Sequence, residues 1–130
     1  MITDDDIDEV IKLFIEVANG TDILKEVVED YRERSLGVRI YDSTYNTGFI
    51  LHQGRIRAIR KLDMPTCVII LDKATFWKIL NIDDPDLQRI AIYTAYYTER
   101  TLSLNSQDGD VQIHAENLIK IFTNISEIVK

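Results

Sequence analysis

Cysteine and histidine, two residue types that often hold metals or act in catalysis, are scarce in this sequence. The single cysteine, Cys67, leaves no partner for an internal disulfide, which predicts a reducing compartment. The two histidines, His52 and His114, lie far apart in the chain, and neither belongs to a metal-ligand spacing. We therefore expect no metal centre, no cofactor and no catalytic triad.

Long apolar runs and an excess of positive charge are also missing. No apolar run approaches the roughly 20 residues that a membrane-spanning helix needs. A net charge of −7 disfavours non-specific binding to nucleic acid or to anionic membranes. Residues 1–6 are acidic, whereas a signal peptide begins with basic residues. These features predict a cytoplasmic protein with no integral membrane segment and no nucleic-acid partner.

The composition is that of a globular protein, with 45% apolar and 28% charged residues in a chain of 130. This length predicts a single domain over residues 1–130. The chain begins with a helical pattern: Thr3 and Asp6 indicate a capping box, and an apolar stripe follows at three- and four-residue spacing. A second helix is expected to begin after Thr21 or Asp22.

The middle of the chain changes to a strand-like period. Strands are expected from Val38, over residues 49–51, over residues 55–61 and over Cys67–Leu71, with a tight turn between the second and the third. The fourth strand is wholly apolar, which predicts that it is covered on both faces.

Asp72 and Asp84 mark the starts of two further helices. Each is a good N-cap, and Pro85 directly after Asp84 is typical of a first helical residue. The helix after Asp84, over residues 87–98, is apolar nearly all round, which predicts burial on most sides or a cavity wall.

The last third of the chain is predicted to form one more strand and one more helix. A short strand is expected over residues 101–104, then a turn at residues 108–110 and a final helix with a strong apolar stripe. The order of elements predicts an α+β fold, with a five-stranded, mostly antiparallel sheet and helices on one of its faces.

Two charged clusters are better explained by structure than by binding. A calcium loop counted from Asp108 would need a bidentate glutamate where Ile119 stands, so the loop fails. A basic strand that could contact phosphates is formed by Arg55, Arg57, Arg60 and Lys61. No aromatic platform interleaves these arginines, so we favour a solvated face or a protected sheet edge.

The aromatic residues give the clearest functional indication. They lie on elements that should face one another, so a cavity is as reasonable as an ordinary core. The set is Phe49, Phe76, Trp77, Tyr93, Tyr96, Tyr97 and Phe122. We expect the cavity between the helix over residues 76–80, the helix over residues 90–97 and the last helix. A tyrosine hydroxyl, that of Tyr96, is expected to hold a polar head.

A series of motifs follows in order along the second half of the chain. In sequence they are the strand Val68 to Leu71, the cap Asp72, the helical Phe76, Ile79 and Leu80, the start Asp84-Pro85, the alternating Leu102 and Leu104, the turn Gly109-Asp110, and Leu118 with Phe122. In this order they resemble the sterol-carrier-protein family of small lipid-binding domains. The resemblance covers residues 54–129.

The resemblance implies a five-stranded sheet and helices around an apolar tunnel that takes lipid or fatty-acyl chains without catalysis. The residues expected to line the tunnel are Phe49, Leu51, Phe76, Ile79, Leu80, Ile92, Tyr96, Leu118 and Phe122. The alternative is a protein-interaction or regulatory module, a homodimer with a filled core. An enzyme is disfavoured because no nucleophile–base pair can be assembled from the sequence.

Overall fold

The computed structural model describes residues 3–20, 34–43, 47–52, 55–109 and 111–129. These residues form four helices, five strands and one π-helical turn. The helices are α1 (Asp4–Gly20), α2 (Lys73–Leu80), α3 (Pro85–Thr94) and α4 (Val111–Val129). The strands are β1 (Ser35–Ile40), β2 (Gly48–His52), β3 (Arg55–Ala58), β4 (Cys67–Leu71) and β5 (Leu102–Ser106). The π turn, Ala95–Glu99, joins α3 to the segment before β5.

The five strands form one sheet in the order β3-β2-β1-β4-β5. The pairs β1–β2, β2–β3 and β4–β5 are antiparallel, and the central pair β1–β4 is parallel. The expected α+β fold with a mostly antiparallel, five-stranded sheet is therefore confirmed. Strands β3 and β5 are the two edges of this sheet.

One face of the sheet is the floor of the hydrophobic core. The register places Val38 opposite Phe49 on one side and Ile69 on the other, and Ile69 opposite Leu104. Because paired residues share a face, these side chains point together, and all but the half-buried Leu104 are buried. Buried side chains of α1, α2 and α4 belong to the same hydrophobic cluster.

The opposite face of the sheet is covered less completely, so the expected cover of β4 on both faces is found only in part. Val68 and Ile70 are half-buried, while their neighbours along β4 are buried. Among the described residues, Ile59 and Pro65 contribute to the cover on this side and lie over Gly37. A Cβ atom at Gly37 would come within 2.8 Å of the Pro65 ring, so only glycine allows this close approach.

Two pairs of phenylalanine rings lie in the core, one between a helix and the sheet and one between two helices. Phe14 of α1 meets Phe49 of β2 edge-on, with ring centroids 5.6 Å apart. Phe76 of α2 meets Phe122 of α4 with centroids 5.4 Å apart. All four rings are at most 1% exposed. Aromatic pairs at such distances and tilts add to the stabilisation that burial already gives.

The predicted helix starts are confirmed in detail. The Asp72 carboxylate accepts a hydrogen bond from the Thr75 amide at 2.8 Å, and Asp84 accepts one from the Asp86 amide at 2.9 Å. In α1 the Thr3 amide donates to Asp6, and the Asp6 amide donates to the Thr3 hydroxyl, which completes the capping box.

The third strand ends earlier than predicted, at Ala58 rather than residue 61. A turn follows at once, because the Asp63 amide donates to the Arg60 carbonyl and the Asp63 carboxylate accepts from the Arg60 amide. The same carboxylate makes two bonds of 2.8 Å with the Arg57 guanidinium, which holds the pKa of Asp63 well below its usual range. These contacts agree with a structural interpretation of Arg57 on an edge strand.

A buried polar network ties α2, α3 and α4 together. Gln88 of α3 is 1% exposed, and its amide nitrogen donates to the Ser126 hydroxyl at 2.9 Å and to the Ile79 carbonyl at 3.3 Å. Its amide oxygen accepts from the Thr123 hydroxyl at 3.0 Å. Ser126 in turn donates to the Leu80 carbonyl at 2.7 Å. Because a buried amide is costly unless it is bonded, this network fixes how the three helices meet.

The helix after Asp84 is not buried on most sides, so the first of the two outcomes expected for it is wrong. Only Gln88 and Ile92 of α3 are buried, while Leu87 is 53% and Ile90 is 60% exposed. The polar Gln88 faces inward because its network partners lie there, and the apolar Leu87 and Ile90 consequently face out. Apolarity on both sides of a helix does not by itself show which side is covered.

Several sequence-based predictions lie outside the described residues. They are the second helix after Thr21 or Asp22, the turn at residues 53–54 and the role of Asp110 at the start of the last helix.

Candidate functional site

A pocket of about 270 Å³ opens between α3 with its π turn, the edge strand β5 and the first half of α4. Its lining combines three tyrosines with five aliphatic side chains and one amide. The lining residues are Ile92, Tyr93, Tyr96, Tyr97, Leu102, Leu104, Gln112, Ala115 and Leu118. We call this space the tyrosine pocket.

Each element places its residues in the tyrosine pocket by its own periodicity. Leu102 and Leu104 are two residues apart in β5, so both point to the inner face of the sheet. On α4 the spacing of three between Gln112, Ala115 and Leu118 puts these residues along one side of the helix. Leu118 closes the inner end, with no exposed surface, whereas Gln112 is exposed.

The π turn brings the tyrosines to the pocket wall. Its wider winding lets the Ala95 carbonyl accept from the amides of both Arg100 and Thr101. Tyr96 and Tyr97 follow Ala95 directly and meet edge-on, with ring centroids 4.7 Å apart. The Tyr97 ring also stacks on Tyr93 at 6.1 Å. A π turn inside a helix is frequent at functional sites, which makes this wall the first place to seek a ligand.

A charged group borders the tyrosine pocket on the side of α3 and α4. Glu116 accepts from the Arg89 guanidinium at 2.9 Å and from the Tyr93 hydroxyl at 3.4 Å. Arg89 also contacts Asp86, at 3.4 Å. Desolvation, followed by the nearby Glu116 carboxylate, raises the pKa of Tyr93. The phenol of Tyr93 therefore stays protonated and continues to donate to Glu116 at neutral pH.

A shallower groove continues from the tyrosine pocket over the edge of the sheet. It shares Tyr96, Tyr97, Leu102 and Leu104 with the pocket and adds two residues. The added residues are Arg100, which is exposed, and Ser103. Arg100 has a left-handed backbone, with φ of 58°. We call this second space the edge groove.

The structure brings three of the predicted lining residues together in the tyrosine pocket, namely Ile92, Tyr96 and Leu118. The other six lie in the hydrophobic core outside this pocket, and their role in binding stays a prediction. They are Phe49, Leu51, Phe76, Ile79, Leu80 and Phe122.

The tyrosine pocket also lies to one side of the expected cavity, since α2 adds nothing to its lining. Where α2, α3 and α4 meet, the Phe76–Phe122 ring pair and the Gln88 network occupy the interface. Strand β5 takes the place of α2 as the third wall.

Sequence reasoning missed part of the lining. Tyr93 and Tyr97 stood out as members of the aromatic set, and their spacing of four predicts one helix side. Leu102 and Leu104 were expected on a strand, but nothing local showed that this strand is an edge beside α3. Gln112 and Ala115 carry no distinguishing signal, because a small residue and an amide are common on any helix surface.

The cysteine and one histidine lie in a separate buried cluster. Cys67 has no exposed surface, and desolvation raises the pKa of its thiol to about 12. His114 is also fully buried, and its Nε2 lies 3.0 Å from Asp108 Oδ1. A thiol with such a pKa is not a nucleophile at neutral pH. Within the described ranges, no group of three or more His, Cys, Asp or Glu residues could hold a metal ion.

None of the described helices is long and apolar enough to cross a membrane. Neither family models nor curated protein sequences give a match to this chain.

Comparison with solved structures gives similar folds at low sequence identity. The chain resembles a UbiJ-SCP2 ubiquinone synthesis protein at 16% identity, covering 93% of this chain and 88% of that one, with a TM-score of 0.54. It resembles a sterol carrier protein 2 at 14% identity, covering 92% and 95%, with a TM-score of 0.56.

A third similar structure is a Thermus thermophilus protein described as possibly a sterol carrier protein. It shows 14% identity, covers 90% of this chain and 86% of that one, and has a TM-score of 0.51. The expected sterol-carrier-protein-like fold is therefore confirmed.

Proposed function

We propose that this protein binds and carries an apolar or amphipathic small molecule of the lipid class in the tyrosine pocket, without catalysing a reaction. The observation that carries the proposal is a pocket of about 270 Å³ with an aliphatic floor and a tyrosine wall. Solved structures of the same fold include proteins named for sterol carriage and ubiquinone synthesis, which supports a ligand of this class.

The floor of the pocket suits an alkyl or isoprenoid chain. Ile92, Leu102 and Leu118 are each at most 2% exposed, so a chain lying against them would be removed from water. Burying one methylene contributes about 0.8 kcal/mol. Two added methylenes should therefore tighten binding by about 1.6 kcal/mol, or roughly fifteenfold, until the chain fills the pocket.

The wall of the pocket suits the polar end of such a molecule. Tyrosine offers an apolar ring to the chain and a hydroxyl that both donates and accepts. Tyr96 is half-buried, and Gln112 adds an exposed amide at the same pocket. A ligand with a long chain and one polar group matches this division.

A titration with saturated fatty acids of increasing chain length tests the proposal. We expect saturable binding whose affinity rises by roughly fifteenfold for every two methylenes and then levels off. A displacement assay with a fluorescent fatty acid measures it. Absence of saturable binding at micromolar concentration for every chain length would overturn the proposal.

Replacing one of two alanines by phenylalanine, inside or outside the pocket, tests where the ligand binds. Ala115 lines the pocket and is 5% exposed, so Ala115→Phe should place a ring inside it and weaken binding about tenfold or more. Ala74 is exposed on α2, and Ala74→Phe makes the same chemical change outside the pocket. Equal binding by both variants would show that the ligand sits elsewhere.

An interaction module is the second candidate function, and one observation favours it. Leu87, Ile90 and Tyr97 are exposed by 53%, 60% and 65%, and their spacing places them along one side of α3 and the π turn. Exposed apolar side chains that adjoin one another often mark contact surfaces. Native mass spectrometry separates the two candidates: a co-purified lipid supports the carrier, and a ligand-free dimer supports the module.

A further inference from the structure

We infer that Arg100 is a specificity residue that selects ligands with a carboxylate headgroup and holds this group in the edge groove. The inference rests on the proposed function, since it concerns the polar end of a ligand whose chain lies in the tyrosine pocket. Its first support is continuity: the edge groove and the pocket share four lining residues, Tyr96, Tyr97, Leu102 and Leu104. A chain leaving the pocket along these residues enters the groove that Arg100 lines.

The second support is that Arg100 is available. Among the described residues, its side chain makes no ion pair and no hydrogen bond, and its neighbour Glu99 instead contacts Lys78 at 3.7 Å. Arg57 and Arg89 differ, because each is paired with a carboxylate of the protein. In a chain with a net charge of −7, an exposed arginine beside a pocket and without an acidic partner is a ready anion site.

The third support comes from the backbone. Arg100 has φ of 58°, and it is the one residue other than glycine with a positive φ among those described. Glycine or asparagine adopts this conformation at lower cost, so the backbone itself does not call for an arginine. A strained position that keeps a long charged side chain is better explained by what that side chain binds.

The chemistry of the edge groove agrees with a carboxylate. A guanidinium binds a carboxylate through two parallel N–H···O bonds, and the rings of Tyr96 and Tyr97 line the same groove. Ser103 adds a hydroxyl to the same groove. Strand β5 lies at the edge of the sheet, so its outer side presents backbone groups that no further described strand uses.

The test compares decanoate with decanol, which have equal chain lengths and differ in the headgroup. The proteins are wild type, Arg100→Gly and Arg100→Lys, and the readout is the Kd of each ligand from calorimetric titration. Arg100→Gly removes the charge and relieves the left-handed backbone, so it should fold at least as well as wild type. Arg100→Lys keeps the charge but loses the two-bond geometry.

We expect wild type to prefer decanoate over decanol by about tenfold, and Arg100→Gly to lose this preference because its decanoate affinity falls much more than its decanol affinity. Arg100→Lys should retain part of the preference. Added salt should weaken decanoate binding to wild type more than decanol binding, because the contact is exposed.

Two results overturn the inference, and they can be told apart. If wild type binds both ligands and Arg100→Gly keeps the same ratio of affinities, Arg100 does not select the headgroup, but the proposed function stands. If wild type binds neither ligand, the proposed function fails and this inference fails with it.

Discussion

The four phenylalanines of this protein and the three tyrosines of the pocket, Tyr93, Tyr96 and Tyr97, occupy two different regions. Phe14, Phe49, Phe76 and Phe122 are at most 1% exposed and pair across helices and sheet in the closed core. The tyrosines of the α3 and π-turn region instead pair with each other at an open pocket, and Tyr97 is 65% exposed. The same kind of ring contact thus closes one region and lines a cavity in the other.

The tyrosine hydroxyl group explains why phenylalanines lie in the core and these tyrosines lie at the pocket. A phenylalanine ring has no polar atom and can be enclosed completely. A tyrosine needs a partner for its hydroxyl, as Glu116 is for Tyr93, or contact with water. Tyrosines therefore gather where the core meets solvent, and that boundary is where an amphipathic ligand can bind. The comparison predicts that substitutions in the core change stability, whereas substitutions at the pocket change binding.

The largest expected effect on stability comes from a substitution among the core phenylalanines. Phe122→Ala should lower the free energy of unfolding by about 3–5 kcal/mol, because it removes a buried ring and the contact with Phe76. Tyr97→Ala should lower it by less, about 1–2 kcal/mol, because this ring is 65% exposed and loses only its contacts with Tyr93 and Tyr96. Urea unfolding followed by circular dichroism measures both. Equal losses in the two variants would remove the distinction between core and pocket.

The next largest effect on stability is expected when a buried glutamine, rather than an exposed one, is replaced by alanine. Gln88→Ala should cost about 1–3 kcal/mol, because it leaves the buried hydroxyls of Ser126 and Thr123 with fewer partners. Gln112 is exposed at the pocket, and Gln112→Ala should be within about 0.5 kcal/mol of wild type. The midpoints of thermal unfolding compare them. If Gln88→Ala melts like wild type, the network does not hold the three helices together.

The smallest expected effect is a pH dependence at Tyr93. Its raised pKa means that the fold favours the protonated phenol, so this contribution to stability is complete below the ordinary tyrosine pKa of about 10. It is lost as the pH rises through the raised pKa of the folded state. Tyr93→Phe should therefore show a shallower fall in unfolding free energy above about pH 10 than wild type.

Denaturant unfolding at several alkaline pH values measures this difference, and Tyr96→Phe serves as the control. Superimposable pH profiles for Tyr93→Phe and wild type would show that neither the burial of the Tyr93 phenol nor its contact with Glu116 makes stability depend on pH.

The sequence predicted the starts of elements well because the signals are local. Thr3, Asp72 and Asp84 each bond to an amide within the next few residues, so the information lies in the segment itself. The alternation of Leu102 and Leu104 predicted a strand for the same reason. The fold class followed from the order of these elements.

The placement of the pocket could not be predicted, because it depends on contacts between distant segments. Gln88 faces inward because Ser126 and Thr123, 35 or more residues away, bond to it. With Gln88 facing inward, Leu87 and Ile90 face outward and Ile92 lies against β5 and α4. A periodic pattern identifies the two sides of α3, but only the partner residues decide which side is covered.

The single cysteine allows local opening of the folded protein to be measured by thiol labelling. Burial raises the pKa of the Cys67 thiol to about 12 and leaves it no exposed surface, so in the folded state it is protonated and out of reach at pH 8. A thiol reagent will therefore modify Cys67 almost only in molecules that have opened. The Cys67 side chain shares the core face of β4 with Ile69, so a reagent reaches it only where the core opens. A labelling rate above the rate of global unfolding would then measure how often the core opens locally around Cys67.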